Sequence, residues 1–229
     1  MFFPLKKTAV ALLVGALASS AYAVSPTYSY RLFAKGLMAT TPVVAPLHTY
    51  ATMDSLGAGA TSSNSGLTVV TSPSGYAGAA SSLGKSTGKW YWEAKIDSAR
   101  STFSQPTSLG IGIASSVASG IDSRGIFALA NCIALYSGDG RLYVSGGMTT
   151  MYSPFGVGTV IGLALDMDGK KLYLYINGAL VTTVPVTATT AFPAISDGYV
   201  PDNDTVTFNF GASAFKYSVP TGFNSGLYH

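Results

Sequence analysis

Acidic side chains cluster in one short stretch, where they could hold a calcium ion. Asp197, Asp202 and Asp204 stand close together, with Asn203 between the last two. Carboxylate and amide oxygens are the ligands that Ca²⁺ prefers, at about 2.3–2.6 Å. The same residue types favour a solvated turn, because Asp, Asn, Gly and Pro adopt turn conformations easily. We interpret the stretch as a turn without metal, with the three aspartates as the alternative ligands.

The residues needed for acid–base catalysis are scarce. Glu93 is the only glutamate, and Asp97 lies four residues further along the same predicted strand face. That separation is too large for the paired carboxylates of a glycosidase. Histidine occurs only at positions 48 and 229. We therefore expect a protein that is not an enzyme.

One motif is similar to the end of a phosphate-binding loop, Gly84-Lys85-Ser86. The full motif needs glycine at position 79, where this chain has Ala79. A helix should follow and direct its N-terminus at the phosphate, but the residues from Trp90 onward predict a strand. These departures exclude a nucleotide site, and we expect no cofactor.

Residues 1–23 are typical of a secretory signal peptide. Lys6-Lys7 precede an apolar run over 8–18, and Ala21-Tyr22-Ala23 supplies the cleavage site. The run is shorter than the about 20 residues that span a bilayer. Cleavage near Ala23 predicts a secreted, periplasmic or extracellular protein.

The mature chain is nearly neutral. Removing two lysines from the 13 Lys+Arg leaves 11 against 10 Asp+Glu, a net charge of +1. Such a balance gives no basic surface for nucleic acid. Cys132 is the only cysteine and lies in an apolar run over 126–136 that predicts a buried strand. An exported domain without disulfides indicates a bacterial or phage-related source.

Strand patterns and turn signals position these residues. Residues 160–165 alternate large and small apolar side chains, as in a strand buried on both faces. Asp168-Gly169 predicts a tight turn that uses the positive φ of glycine, and Asn177-Gly178 a two-residue hairpin turn. Ten to twelve strands and no helix are expected. They predict an all-β protein, a two-sheet antiparallel β-sandwich.

Two further patterns predict how the sheets pack. Trp90 and Trp92 share a strand face and should both lie in the core. Gly110 and Gly112 should leave room for aromatic rings across the sheet interface. One domain over 47–229 accommodates all of these strands.

Three motifs in order resemble the SPRY (B30.2-related) family. Residues 88–93 resemble its "GkxYWE" strand, 160–178 its "IGxxLDxxxxxLxxxxNG" signature, and 209–223 its closing "NFG…F…P.GF". The similarity extends over roughly 67–223. It implies a concanavalin-like jelly roll that binds protein or peptide ligands through loops at one end and has no catalytic role.

Three predicted loops carry large residues without a core role: 98–108, 115–125 and 145–155. Arg, Tyr, Phe and Met suit interfaces. The ligand-binding candidates are Arg100, Phe103, Arg124, Met148, Met151 and Tyr152. In the alternative, Phe103, Tyr152 and Phe155 fold back onto the core.

Two other functions fit the sequence. A carbohydrate-binding module would use Tyr199, which stands among the aspartates described above. A structural subunit of an exported appendage or particle would use residues 24–46, where Tyr28, Tyr30 and Leu32 alternate with other residues. This extension could add a strand to its own sheet, or serve as an arm for self-assembly that pairs with a neighbouring subunit.

Overall fold

The computed structural model describes residues 47–57, 59–71, 77–99, 109–117, 125–197 and 203–229. Within these ranges the chain forms fifteen strands and no helix, so no described helix could cross a membrane. The expected all-β sandwich of two sheets is confirmed. The expected ten to twelve strands were too few, because strands of two to four residues are too short to show alternation. The predicted signal peptide and the predicted extension over 24–46 lie outside the described residues.

Each sheet has a simple strand order. The seven-stranded sheet runs, in spatial order, β1 (Ser55–Leu56), β4 (Ala77–Ala80), β13 (Phe192–Asp197), β6 (Leu109–Ala114), β7 (Ile133–Tyr136), β8 (Arg141–Val144) and β9 (Gly147–Met151). The eight-stranded sheet runs β12 (Ala179–Pro185), β11 (Lys171–Ile176), β10 (Val160–Asp166), β5 (Lys89–Ser98), β14 (Thr205–Asn209), β3 (Thr68–Thr71) and β2 (Ala60–Ser63), with β15 (Asn224–Ser225) also paired to β5. All pairs are antiparallel except β15 with β5.

The core lies between the two sheets. Trp92, Ala94 and Ile96 of β5 are fully buried, as are Leu163 and Leu165 of β10, which lie across from it. Every residue of β10 is buried, which confirms the strand predicted over 160–165. Alternation along each strand therefore fills the space between the sheets with apolar side chains.

The two turns around β11 differ from each other. Asn177-Gly178 is the two-residue turn predicted, with φ of 49° and 81°, and the Asn177 Oδ1 accepts a hydrogen bond from the Val160 N–H at 3.0 Å. The turn before β11 spans four residues, and its positive φ (51°) belongs to Lys170. The prediction that Gly169 supplies this conformation was wrong. Gly169 is close-packed instead, because a Cβ there would meet the Asp166 carboxylate at 2.7 Å.

Asp166 ends β10 with an ion pair. Its carboxylate accepts hydrogen bonds from the Lys89 Nζ at 2.8 Å and from the Gly169 N–H at 2.7 Å. Burial raises the pKa of Asp166, but these hydrogen bonds outweigh burial and leave the pKa below its usual value. The aspartate of the motif over 160–178 therefore joins β10 to β5 and to the turn before β11.

Trp90 lies outside the fully buried core, in contrast to the prediction. Its ring is half-buried, the Lys85 Nζ lies 3.8 Å from the ring centroid, and its indole N–H donates to the Thr87 carbonyl at 2.7 Å. Trp92 is completely buried, as predicted. The difference arises because β5 begins at Lys89, so Trp90 packs only at the margin of the core.

The glycines of β6 do not make room for aromatic rings between the two sheets, in contrast to the prediction. A Cβ on Gly110 would overlap the ring of Phe127, and a Cβ on Gly112 the carbonyl of Ile133. Phe127 packs on a second cluster with Cys132, on the opposite side of the sheet from the core. Cys132 is buried as predicted, but residues 125–131 form turns, so the strand predicted over 126–136 begins only at Ile133.

The first and last described segments form a clasp. Tyr50 and Tyr228 form a bridge, the Ala51 N–H donates to the Leu227 carbonyl at 2.8 Å, and the His229 N–H donates to the Thr49 carbonyl at 3.0 Å. Leu227 is fully buried. The clasp therefore contributes directly to the core.

Candidate functional site

One end of the sandwich brings together the strand ends that flank the predicted loop over 98–108 and the aspartate stretch over 197–204. Asp197 pairs with Leu109 and with Ala77 at this end, and Ser98 pairs with Thr205. The Thr71 hydroxyl donates to the Asp197 carboxylate at 2.9 Å and joins the two sheets here. We call it the Asp197 end. Five predicted site residues lie outside the described residues, namely Arg100, Phe103, Arg124, Tyr199 and Asp202.

Asp197 and Asp204 are buried parts of this end. Asp197 is the last residue of β13 rather than a loop residue, and both aspartates are fully buried rather than solvated. The Asp204 N–H donates to the Thr71 hydroxyl at 3.0 Å. Among the described residues, no group of three acidic, histidine or cysteine side chains could hold a metal ion. Asp197 therefore helps to join the two sheets through Thr71, and the backbone of Asp204 holds Thr71 from within its own sheet.

Met148 and Met151 lie on a strand, where the sequence predicted a loop. β8 and β9 form a hairpin, and β9 is the last strand of its sheet within the described ranges. Every residue of β9 is exposed, and the two methionine side chains are 57% and 59% exposed. Exposed apolar residues that lie together, rimmed by polar residues, are typical of interaction sites.

A register shift in the hairpin places both methionines on one face. Met148 lies opposite Tyr143, and Met151 lies opposite Arg141. Residues three apart in a regular strand would point to opposite faces, but the bulge adds a residue between them. Tyr143 packs on the outer cluster, so this face points away from the core. We define the methionine patch as Tyr136, Arg141, Tyr143, Met148 and Met151.

Polar groups of the patch are held in fixed positions. The Arg141 Nε lies 2.7 Å from the Asp139 Oδ2, and contacts with Tyr143 and Asp139 raise the pKa of Arg141. The Tyr136 and Tyr143 rings pack edge to face with centroids 6.3 Å apart. Burial, followed by the charge of Asp139, raises the pKa of Tyr136 to about 12, so its hydroxyl remains a neutral donor. The patch thus combines an arginine that is paired with an aspartate, two tyrosine rings, and two flexible apolar side chains.

The remaining predicted residues of the 145–155 segment point inward. Phe155 is buried in the core, and its N–H donates to the Ser137 carbonyl at 3.1 Å. Tyr152 is half-buried against the core, and its N–H donates to the Gly140 carbonyl at 2.7 Å. For both residues the alternative of packing onto the core is the correct one.

Glu93 is a structural carboxylate. It is buried, its Oε2 accepts from the Lys216 N–H at 2.8 Å, and its Oε1 accepts from the Tyr217 N–H at 2.9 Å and the Tyr91 hydroxyl at 3.1 Å. These three bonds hold the segment after β14 against the sheet. A carboxylate fully engaged in this way is not placed to act as an acid or base.

A match to a family model identifies the family to which this β-sandwich belongs. The SPRY domain model matches residues 89–213, more than half of the chain. The chain belongs to the SPRY domain family. The match begins at the strand that carries Glu93 and ends just after β14. No curated protein matches this SPRY chain significantly.

Solved SPRY domains share the fold at low sequence identity. The alignment with the SPRY domain of human HERC1 has a TM-score of 0.59 and 17% sequence identity. It covers 69% of this chain and 96% of the HERC1 domain. The alignment with a human SPRY domain has a TM-score of 0.52 and 18% identity, and it covers 68% of this chain and 98% of that domain. The alignment with the TRIM65 PSpry domain has a TM-score of 0.53 and 11% identity, and it covers 70% of this chain and 92% of that domain. SPRY domains are typically protein–protein interaction modules rather than enzymes.

Arg141 and Tyr143 were missed by the sequence reasoning. They lie in a strand after a tight turn, and their alternation with Leu142 predicts no more than an ordinary strand. Only the pairing with β9 brings them beside exposed methionines. The turn residue Asp139 was the one available signal, since an acidic residue two positions before an arginine can hold its side chain.

Proposed function

We propose that this SPRY chain is an exported, non-enzymatic binding module that recognises a protein or peptide partner through the methionine patch. The family supports binding without catalysis, and the patch supports the location. The observation that carries the proposal is the joint exposure of Met148 and Met151 beside Arg141. Methionine adapts to irregular partners, and arginine with tyrosine is enriched at binding hot spots.

Peptide selection with matched variants tests the location of binding. Peptides would be selected from a random library on the chain over 24–229, and their affinities measured for the double variant Met148→Ala/Met151→Ala and for Arg141→Ala. Each variant should weaken binding by at least about tenfold, equivalent to about 1.4 kcal/mol. Leu180→Ala is the control, because Leu180 is 53% exposed on β12 and belongs to the other sheet.

Three outcomes separate this proposal from its alternatives. Unchanged affinity in the patch variants, with melting temperatures equal to that of the wild type, would place recognition elsewhere. Weakening by the Leu180 variant alone would move the site to the other sheet. Selective binding on a glycan array would favour the carbohydrate-binding alternative, whose predicted residue Tyr199 lies outside the described residues.

Export rests on the first residues of the sequence. The basic start, the short apolar run and the alanine-containing cleavage site support removal of residues 1–23. Mass spectrometry of the secreted protein should find Val24 as its first residue. Retention of Met1 would contradict export through this signal. Assembly through residues 24–46 remains a further proposal, and light scattering of the mature chain against a chain starting at Leu47 would test it.

A further inference from the structure

Within the described ranges no strand pairs with the outer edge of β9, so this edge can accept another strand. Its five residues are exposed, and its sequence, Gly147-Met148-Thr149-Thr150-Met151, contains no charge and no proline. Unpaired N–H and C=O groups on such an edge are a template for pairing with another chain. Natural proteins usually block long edges with charges, proline or short strands.

Other edge strands in the described part of the chain are protected against pairing with another chain. β1 has only two residues, and β12 ends in Pro185, which cannot donate a hydrogen bond. β2 is short and largely Ser and Thr. β9 has a bulge, which can turn an edge away, but this bulge brings the two methionines onto one face. The edge of β9 is therefore the one least protected by composition.

The sequence of β9 is self-complementary. Met148-Thr149-Thr150-Met151 reads the same in both directions, so an antiparallel pair can match each residue type with its equal. Met148 would lie opposite Met151 of the partner subunit, because the bulge puts both methionines on one face, and the Thr149–Thr150 segments of the two copies would meet at the twofold axis. Apolar residues that lie opposite each other stabilise antiparallel strands. Neither copy brings a charge into this pairing.

We propose that β9 pairs antiparallel with β9 of a second copy of this chain, in the register that places Met148 opposite Met151 of the partner subunit. The twofold axis passes between Thr149 and Thr150, as an isologous contact requires. The two seven-stranded sheets become one continuous sheet. Both methionine patches then lie on the same outer face and form a single larger surface.

The size of this contact predicts a weak dimer. A strand of five residues is about 17 Å long, and pairing over that length should bury less than the about 1,200 Å² of a stable specific interface. Covalent trapping is therefore the sharpest test. It depends on register and does not require the ligand of the proposed function.

The trap uses two single variants, Met148→Cys and Met151→Cys. Under mild oxidation, neither variant alone should form a covalent dimer efficiently, because its cysteine would lie about 10 Å along the strand from its own copy. The mixture should form the dimer, since the two cysteines are directly opposite and within disulfide range. The wild-type chain is the control, because its Cys132 is buried. Equal trapping in single and mixed samples, or none in the mixture, would overturn the register.

Sedimentation at increasing concentration provides a second test. The double variant Met148→Lys/Met151→Lys should remain monomeric, because like charges would be directly opposite. Mixing it with Met148→Glu/Met151→Glu should restore a dimer. Wild type that stays monomeric throughout would refute the pairing. Retained peptide binding in that case would leave the proposed function intact, whereas trapping without peptide binding would refute the proposed function alone.

Discussion

Glu93 should be needed as a carboxylate and not merely as a hydrogen-bonding side chain. Glu93→Gln keeps the size of the residue but replaces one oxygen with an NH₂ group. The amide oxygen can keep two of the three donors, the Tyr217 N–H and the Tyr91 hydroxyl, and the NH₂ then faces the backbone N–H of Lys216. Hydrogen bonds to charged groups contribute about 1.5–3 kcal/mol each, and about half of that when neutral.

The loss of stability expected for Glu93→Gln follows from those contacts. One bond is lost, the others lose their ionic character, and the cheaper burial of a neutral group offsets part of the loss. We expect the free energy of unfolding to fall by about 2–4 kcal/mol, a large fraction of the about 5–15 kcal/mol of a typical domain. Urea denaturation measures the fall. Hydrogen exchange should show lost protection at the Lys216 and Tyr217 amides.

Asp97→Asn is the matched control. Asp97 lies on the same strand as Glu93, and its partner Lys95 is 2.7 Å away with its side chain 53% exposed. An exposed ion pair of this kind contributes about 0–1 kcal/mol. If Glu93→Gln costs no more than Asp97→Asn, the three contacts do not depend on charge. The structural role assigned to Glu93 would then be refuted.

Three further predictions concern stability. The pKa of Asp166 is lowered on folding, so its contribution to the free energy of unfolding is present above about pH 4 and is lost as the pH falls through the folded pKa. Asp166→Asn should remove this part of the pH dependence, as measured by denaturation from pH 6 to pH 2. Trp92→Ala should cost about 3–5 kcal/mol and Trp90→Ala clearly less, and equal losses in thermal unfolding would contradict the burial difference. Gly112→Ala should cost about 3 kcal/mol or more, since the added methyl would meet backbone that cannot move aside, and an unchanged melting temperature would contradict this close approach.

The sequence was most informative where local chemistry and burial agree. Asn177-Gly178 favours one turn type by its backbone preferences, and the strand over 160–165 is buried on both faces, so both were predicted correctly. Gly169 was assigned the wrong role because glycine can serve either a positive φ or close packing. Sequence alone does not distinguish these two uses.

The candidate site was harder to predict because it depends on pairing between strands. β9 is exposed on both faces and bulged, so no burial pattern marks it as a strand. Its methionines were identified by type, but their neighbours Arg141 and Tyr143 were not. Those residues join the patch only through the register of β8 with β9, which a linear pattern does not contain.

The clasp has a consequence for the order of folding. Pairing Tyr50 with Tyr228 joins residues 178 positions apart (228 − 50), so it closes nearly the whole domain into one loop. Contacts of such separation form slowly because the entropy of closure is lost before the contact is gained. The hairpins of β8–β9 and β10–β12 should therefore form earlier, and the clasp should close last. Substitutions at Tyr228 should then accelerate unfolding and leave the refolding rate nearly unchanged.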